Sequence, residues 1–222
     1  MPVLEIFYAP GSCSRATLIA LEHAGVAYTP RLIAFMKGDN RQPDFLALNP
    51  KGKVPLLLID GKPLTETVAI MHWLAETFPE AKLLPRPAAA YDRAKIMSDL
   101  AWASSALHAL IARLRFPIMF TPMAEAHPSL REGAANALAD AFRLIDARLA
   151  DRDWWHGEWS AQDAYLYWVW TRAADAGFTF DNYPHFAAHK RRMDERPSTR
   201  AALAIEAKGE AELAARNATL TI

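Results

Sequence analysis

The sequence predicts an α/β unit followed by an all-helical one. Strand-like apolar segments stop at about residue 65, a Pro- and Ala-rich stretch follows residue 79, and only helical spacing is found beyond it. Val3 to Phe7 is the first strand, Tyr8 to Cys13 holds a Pro-Gly turn, and Ser14 to Ala24 reads as a helix with Leu18, Ile19 and Leu21 apolar. Tyr28 to Ile33 supplies a second strand, parallel to the first in a βαβ unit. After the polar segment Lys37 to Gln42, a short helix around Asp44 to Leu48 must end at the breaker-dense Asn49-Pro50-Lys51-Gly52-Lys53. Val54 to Ile59 and Lys62 to Thr65 flank Asp60-Gly61, a strong hairpin signal, so this half is antiparallel. Thr65 or Glu66 opens a helix through Val68, Ile70, Met71 and Leu74 towards Phe78-Pro79. The order is βαβ then ββα, which gives a first domain over 1–79, a linker over 80–89 and a helical domain over 90–222.

In the second region Ile96, Leu100, Leu107, Ile111 and Leu114 keep helical spacing, as do Leu138, Phe142, Ile145 and Leu149. Ser160 and Asp163 make a capping-box-like start to the aromatic run Tyr165 to Trp170. Being apolar nearly all round, that run is expected to be the buried central helix. Ala207 to Ile222 reads as a final helix with a loose end.

The 222 residues carry 25 Lys plus Arg against 25 Asp plus Glu, so no pervasive basic field favours nucleic acid or an anionic membrane. MPVLEIFYAP lacks the basic flank and long apolar run of a signal peptide, and the expected location is the cytoplasm. Cys13 alone excludes an internal disulfide framework and a cysteine-rich zinc site, and no metal is expected.

Three constellations carry chemistry. Cys13, in Tyr8-Ala9-Pro10-Gly11-Ser12-Cys13-Ser14-Arg15, stands where a strand hands over to a helix. Helix amino termini stabilise thiolates, which predicts a depressed pKa; the competing reading is a small buried apolar residue, with Ser12 and Ser14 as helix caps. In Asn49-Pro50-Lys51-Gly52-Lys53-Val54-Pro55 the proline is either cis, freeing the Val54 backbone to pair with an extended peptide, or an ordinary trans proline at a strand start. In Thr65-Glu66-Thr67 the exposed N–H groups and a hydroxyl suit a carboxylate while Glu66 suits an ammonium, as an amino-acid head group requires. A plain helix cap explains the same residues.

Taken together, these motifs in this order, with Leu64-Thr65-Glu66 leading into Val68-Ala69-Ile70, resemble the glutathione transferases, most of all the bacterial beta class. The resemblance spans nearly the whole chain and implies a thioredoxin-like first domain followed by a helical bundle. It implies that glutathione is the co-substrate, with a small apolar electrophile as second substrate, and that the chain forms a homodimer. By the same resemblance Cys13 contacts the glutathione sulphur with Tyr8 and Ser14 close by, and Val54, ahead of Pro55, pairs with the cysteinyl backbone. Glu66 and Thr67 take the γ-glutamyl head, Lys37 approaches the glycyl carboxylate, Lys53 and Ser105 belong to the glutathione site, and His108 faces the thiol. Ala109 and Ala101 stand where the beta class carries a basic residue and an asparagine, which weakens the polar side of the site. Aromatic content puts Tyr8, Trp102, Phe116 and Trp168 in the second-substrate wall. Two alternatives stay open: thiol–disulfide exchange through Cys13, and a non-catalytic scaffold.

Overall fold

The computed structural model describes residues 1–218; the end of the expected final helix, residues 219–222, lies outside them. Four strands, β1 (Leu4–Tyr8), β2 (Thr29–Leu32), β3 (Leu56–Ile59) and β4 (Lys62–Thr65), form one mixed sheet in the order β2-β1-β3-β4. β1 and β2 are parallel, and β3 runs antiparallel to both β1 and β4. The thioredoxin-like order expected from sequence is therefore present. Pro30 and Pro63 lie in the two edge strands, where a residue without an N–H costs the ladder least. Asp60 and Gly61 both take positive φ, 49° and 78°, as a two-residue hairpin turn requires.

Helix α1 (Ser14–Ala24) stops at Gly25, whose left-handed φ of 64° suits glycine. α2 (Pro43–Leu48) opens on a proline, which needs no N–H partner there. α3 (Thr67–Thr77) packs against α1. On the opposite side Phe7 meets Phe45 of α2 edge to face, and Ala9, Ile33, Val54, Leu56 and Leu58 close a small core around them.

The helical region comprises α4 (Ala90–Trp102), α5 (His108–Arg115), α6 (His127–Arg148), α7 (Ala161–Ala174), α8 (Pro184–Glu195) and α9 (Pro197–Ala218). A π-helical turn, Ala103–Leu107, joins α4 to α5 without a break in direction signalled by Gly or Pro. α7 is buried from Ala161 to Trp170, as its apolar circumference predicts. Its capping box is formed. Ser160 N–H donates to Asp163 Oδ2 at 2.8 Å, while Asp163 Oδ1 accepts from Trp155 N–H at 2.9 Å and pairs with His189 Nε2 at 3.0 Å.

Packing departs from the chain-order division in one respect: residues 196–218 belong with residues 1–83 as one compact unit, and residues 84–195 form the other. α9, expected in the helical domain over 90–222, lies against α1 instead. Polar contacts that no local pattern reveals join α9 to the first motif. Arg15 Nε pairs with Glu206 at 2.6 Å, Gly11 N–H donates to Glu206 Oε1 at 2.9 Å, and the Tyr8 hydroxyl donates to the Ile205 carbonyl at 3.2 Å. Among the described residues no helix is long and apolar enough to cross a membrane.

Three substitutions test the contacts of α9 and of the α7 capping box. Gly209 sits mid-helix in α9, where alanine ordinarily stabilises by about 1 kcal/mol. A Cβ there would lie 2.7 Å from the Tyr8 hydroxyl and 3.0 Å from Leu32 Cδ1, so Gly209→Ala is expected to lower the urea midpoint. Asp163→Ala strands three buried donors and is expected to cost about 2–4 kcal/mol in the same measurement, against about 1 kcal/mol for Ser160→Ala.

Candidate functional site

The loop between β1 and α1 is braced by its own side chains. Ser12 Oγ donates to the Ala9 carbonyl at 2.8 Å and lies 2.6 Å from Ser14 Oγ, which also accepts the Ala9 N–H at 3.3 Å. Gly11 turns the chain at φ 71° and hands its N–H to Glu206. With the loop's polar groups so occupied, Cys13 at the head of α1 finds its partners elsewhere. Its thiol donates to the Val54 carbonyl at 3.6 Å and bonds to the Thr67 side chain. Residues from three separated motifs thus meet at one sulphur.

The second motif is held open from behind. The Val54-Pro55 bond is cis, deciding between the two readings of that proline, and the Val54 N–H makes no hydrogen bond to another described residue. Asn49 folds the preceding turn, donating from Nδ2 to the Lys53 carbonyl at 2.7 Å and accepting the Lys51 N–H on Oδ1 at 3.2 Å. Asn40 donates to the Gly52 carbonyl at 2.9 Å. Gly52 has φ 62°, and a Cβ would stand 3.1 Å from both the Asn40 carbonyl and the Arg41 guanidinium, so a side chain there is strained and crowded.

At the third motif Glu66 precedes α3 with φ 76° and ψ 124°, a conformation that costs a non-glycine residue about 1–3 kcal/mol. Its side chain does not cap the helix; the carboxylate pairs instead with the Lys51 ammonium, which also donates to Thr65 Oγ1 at 2.7 Å. Thr67 is buried at the first helical position.

The electrostatics of Cys13 favour the second of its two readings, a buried thiol. Burial pushes its thiol up from 9.0 to about 11, with Glu66 adding to the rise, while the Thr67 hydrogen bond and the charge of Lys53 oppose it. A helix terminus contributes roughly 2 kcal/mol at most. Here loss of water outweighs it, and Cys13 is a thiol that donates a hydrogen bond.

Cys13, Val54, Pro55, Glu66 and Thr67 therefore converge, with Lys53 near enough to act on the thiol. Tyr8 and Ser14 do not join them through hydrogen bonds among the described residues. The Tyr8 hydroxyl is spent on α9, its pKa raised by burial and then by Glu212 and Glu206, and Ser14 is spent on Ala9 and Ser12. Lys37 is exposed on the turn Phe35–Lys37. In the helical unit, Ser105 is exposed on the π-helical turn, and His108 pairs through Nδ1 with the Tyr165 hydroxyl at 3.1 Å beneath the Trp168 ring. Of the aromatic residues expected in a substrate wall, Trp102 stacks on Trp155, Trp168 is buried, and Phe116 is 46 % exposed. Sequence reasoning missed Lys51, Asn40 and Glu206. Asn49 was legible as a turn former, whereas a single glutamate in an alanine-rich helix gives no local signal.

Comparison with known proteins bears on this geometry. Residues 11–77 match the family described as "Glutathione S-transferase, N-terminal domain". The glutathione S-transferase GstA of Escherichia coli O157:H7 is 35 % identical over 210 residues, covering 91 % of this chain and 98 % of GstA. The chain belongs to the glutathione S-transferase family. Among solved glutathione S-transferases, the bacterial beta-class enzyme of Sphingomonas chungbukensis superposes with a TM-score of 0.79 at 32 % identity. A sphingomonad glutathione S-transferase complexed with glutathione gives 0.80 at 31 %. Each match covers 91 % of this chain and 98 % of the other.

In a glutathione S-transferase with so buried a cysteine, pH is the direct probe. At pH 8 only about one Cys13 in a thousand is a thiolate. The alkylation rate of the ligand-free protein is expected to rise about tenfold per pH unit and level off near pH 11. Because the folded pKa is raised, the contribution of Cys13 to stability is full below its unfolded value near 9 and is lost as pH rises through about 11; unfolding midpoints of wild type and Cys13→Ala compared over that range check the sign.

Proposed function

We propose that the chain is a glutathione-conjugating enzyme whose first unit binds glutathione and presents its thiolate to a small apolar electrophile. The observation that carries this is the convergence on one sulphur of Cys13, the Val54 backbone and Thr67. An extended tripeptide finds there what it needs: Val54 N–H and C=O for its central residue, Glu66 for its ammonium, and the α3 amino terminus with Thr67 for its α-carboxylate. Lys37 is assigned to its glycyl end and Lys53 to the glutathione site. Ser105 and His108 remain assigned to the site by resemblance and are open to mutation.

The protonation state of Cys13 defines its part. A neutral thiol donates a hydrogen bond to a bound thiolate and so favours deprotonation of glutathione; one such donor is worth about one pKa unit, or about 1.4 kcal/mol. The glutathione thiolate then attacks the electrophile and the leaving group departs. Tyr8 and Ser14 act one step back, fixing the loop that carries Cys13. A thiol pushed up to about 11 is a poor attacking group at neutral pH, which counts against thiol–disulfide exchange through Cys13. The scaffold reading is disfavoured by the retained ligand-binding residues. A cytoplasmic homodimer completes the proposal, and light scattering tests the oligomeric state.

Cys13→Ala is expected to keep glutathione binding, to raise the pKa of the bound glutathione thiol by about one unit and to slow conjugation of a chlorodinitrobenzene about tenfold at slightly acidic pH. Thiolate ultraviolet absorbance and steady-state rates read both. Unchanged values in the variant would remove Cys13 from the thiol's surroundings, and failure of wild type to bind glutathione calorimetrically would overturn the assignment altogether.

A further inference from the structure

The pairing of Lys51 with Glu66 has the form of an occupied ligand site. Glu66 accepts an ammonium, Thr65 Oγ1 accepts a second bond from the same nitrogen, and the first N–H groups of α3 beside them have no side-chain cap. These are the acceptors that the α-ammonium of a γ-glutamyl head requires. The geometry points to Lys51 as an internal competitor: its ammonium fills the ammonium subsite of the free enzyme, and glutathione or its conjugates must displace it to bind. This inference rests on the assignment of Glu66 to the γ-glutamyl ammonium.

Both partners are held in place by their backbones. Asn49 accepts the Lys51 N–H, and Gly52, next in the chain, is pinned by Asn40. Glu66 is fixed at positive φ, with its carbonyl accepting the Ile70 N–H at 3.0 Å, so its carboxylate is turned out of the helix axis towards the turn that carries Lys51. A carboxylate held at such a backbone cost for a ligand is satisfied by an intramolecular cation while the ligand is absent. Both side chains are at least half exposed, so the pair is weak and readily exchanged. Two like charges cannot share one carboxylate at contact distance without repulsion, so Lys51 leaves as the ligand ammonium arrives. Substrate and conjugate carry the same head group, and Lys51 therefore weakens both. It re-occupies Glu66 as the conjugate departs, which favours product release.

Calorimetry with glutathione, with N-acetylglutathione and with an S-alkyl glutathione tests this on wild type and on Lys51→Met, Lys51→Arg and Glu66→Gln. Lys51→Met is expected to bind glutathione and the S-alkyl conjugate roughly two- to fivefold more tightly at low ionic strength, with the gain fading in high salt. It should gain nothing with N-acetylglutathione, which brings no ammonium, and Lys51→Arg should resemble wild type. Product inhibition by the conjugate should strengthen by the same factor in Lys51→Met. Unchanged or weakened glutathione binding in Lys51→Met would overturn the inference, a weakening marking Lys51 as a direct ligand of the head group. The underlying assignment fails separately, if Glu66→Gln binds glutathione as tightly as wild type does.

Discussion

Glu206 is 2 % exposed, and its two carboxylate oxygens serve the Gly11 N–H and the Arg15 guanidinium, so a charge taken out of water fixes the segment that ends at Cys13. Burial raises the Glu206 pKa, and Arg15 together with the Gly11 N–H opposes the rise. Removing one partner from such a pair leaves the other uncompensated, at a cost of about 3–5 kcal/mol. The same helix meets the first unit along its length: α9 packs against α1, the Ile205 carbonyl accepts the Tyr8 hydroxyl, and at Gly209 a Cβ would crowd Tyr8 and Leu32.

With the loop fixed, chemistry at its end is decided by a contest between two environments. The amino terminus of α1 favours a thiolate, and burial favours a thiol. Burial wins, lifting Cys13 to about 11. On the proposed function, Cys13 then serves as a hydrogen-bond donor and the thiol of glutathione is the nucleophile. Its donor contact to the Val54 carbonyl, across 41 positions of sequence, ties the head of α1 to the turn before β3.

The legible parts of this protein were those written in short-range pattern. Asp60-Gly61 announced the hairpin because two adjacent positive φ angles call for those residue types, and Ser160 with Asp163 announced the start of α7 because a capping box closes within four residues. Pro30 and Pro63 are compatible with strands only at sheet edges, which is where they lie. The three site motifs were legible as spacing, and their convergence on Cys13 agrees with it. The resemblance placed Tyr8 and Ser14 close to the thiol; in the fold their hydroxyls bond to the Ile205 carbonyl and to Ala9 and Ser12. The π-helical turn at Ala103–Leu107 has no compositional mark, since each of its residues is acceptable in an ordinary helix.

The sequence by itself determined the order of strands and helices and the turns between them, because each depends on backbone preferences and hydrogen bonds a few positions apart. Tertiary structure alone decided that α9 belongs with the first unit, that burial raises the pKa of Cys13, and that Lys51 rests on Glu66. Those outcomes depend on burial and on charges brought together from distant positions, and the free energy of a charge is set by the water and the partners around it.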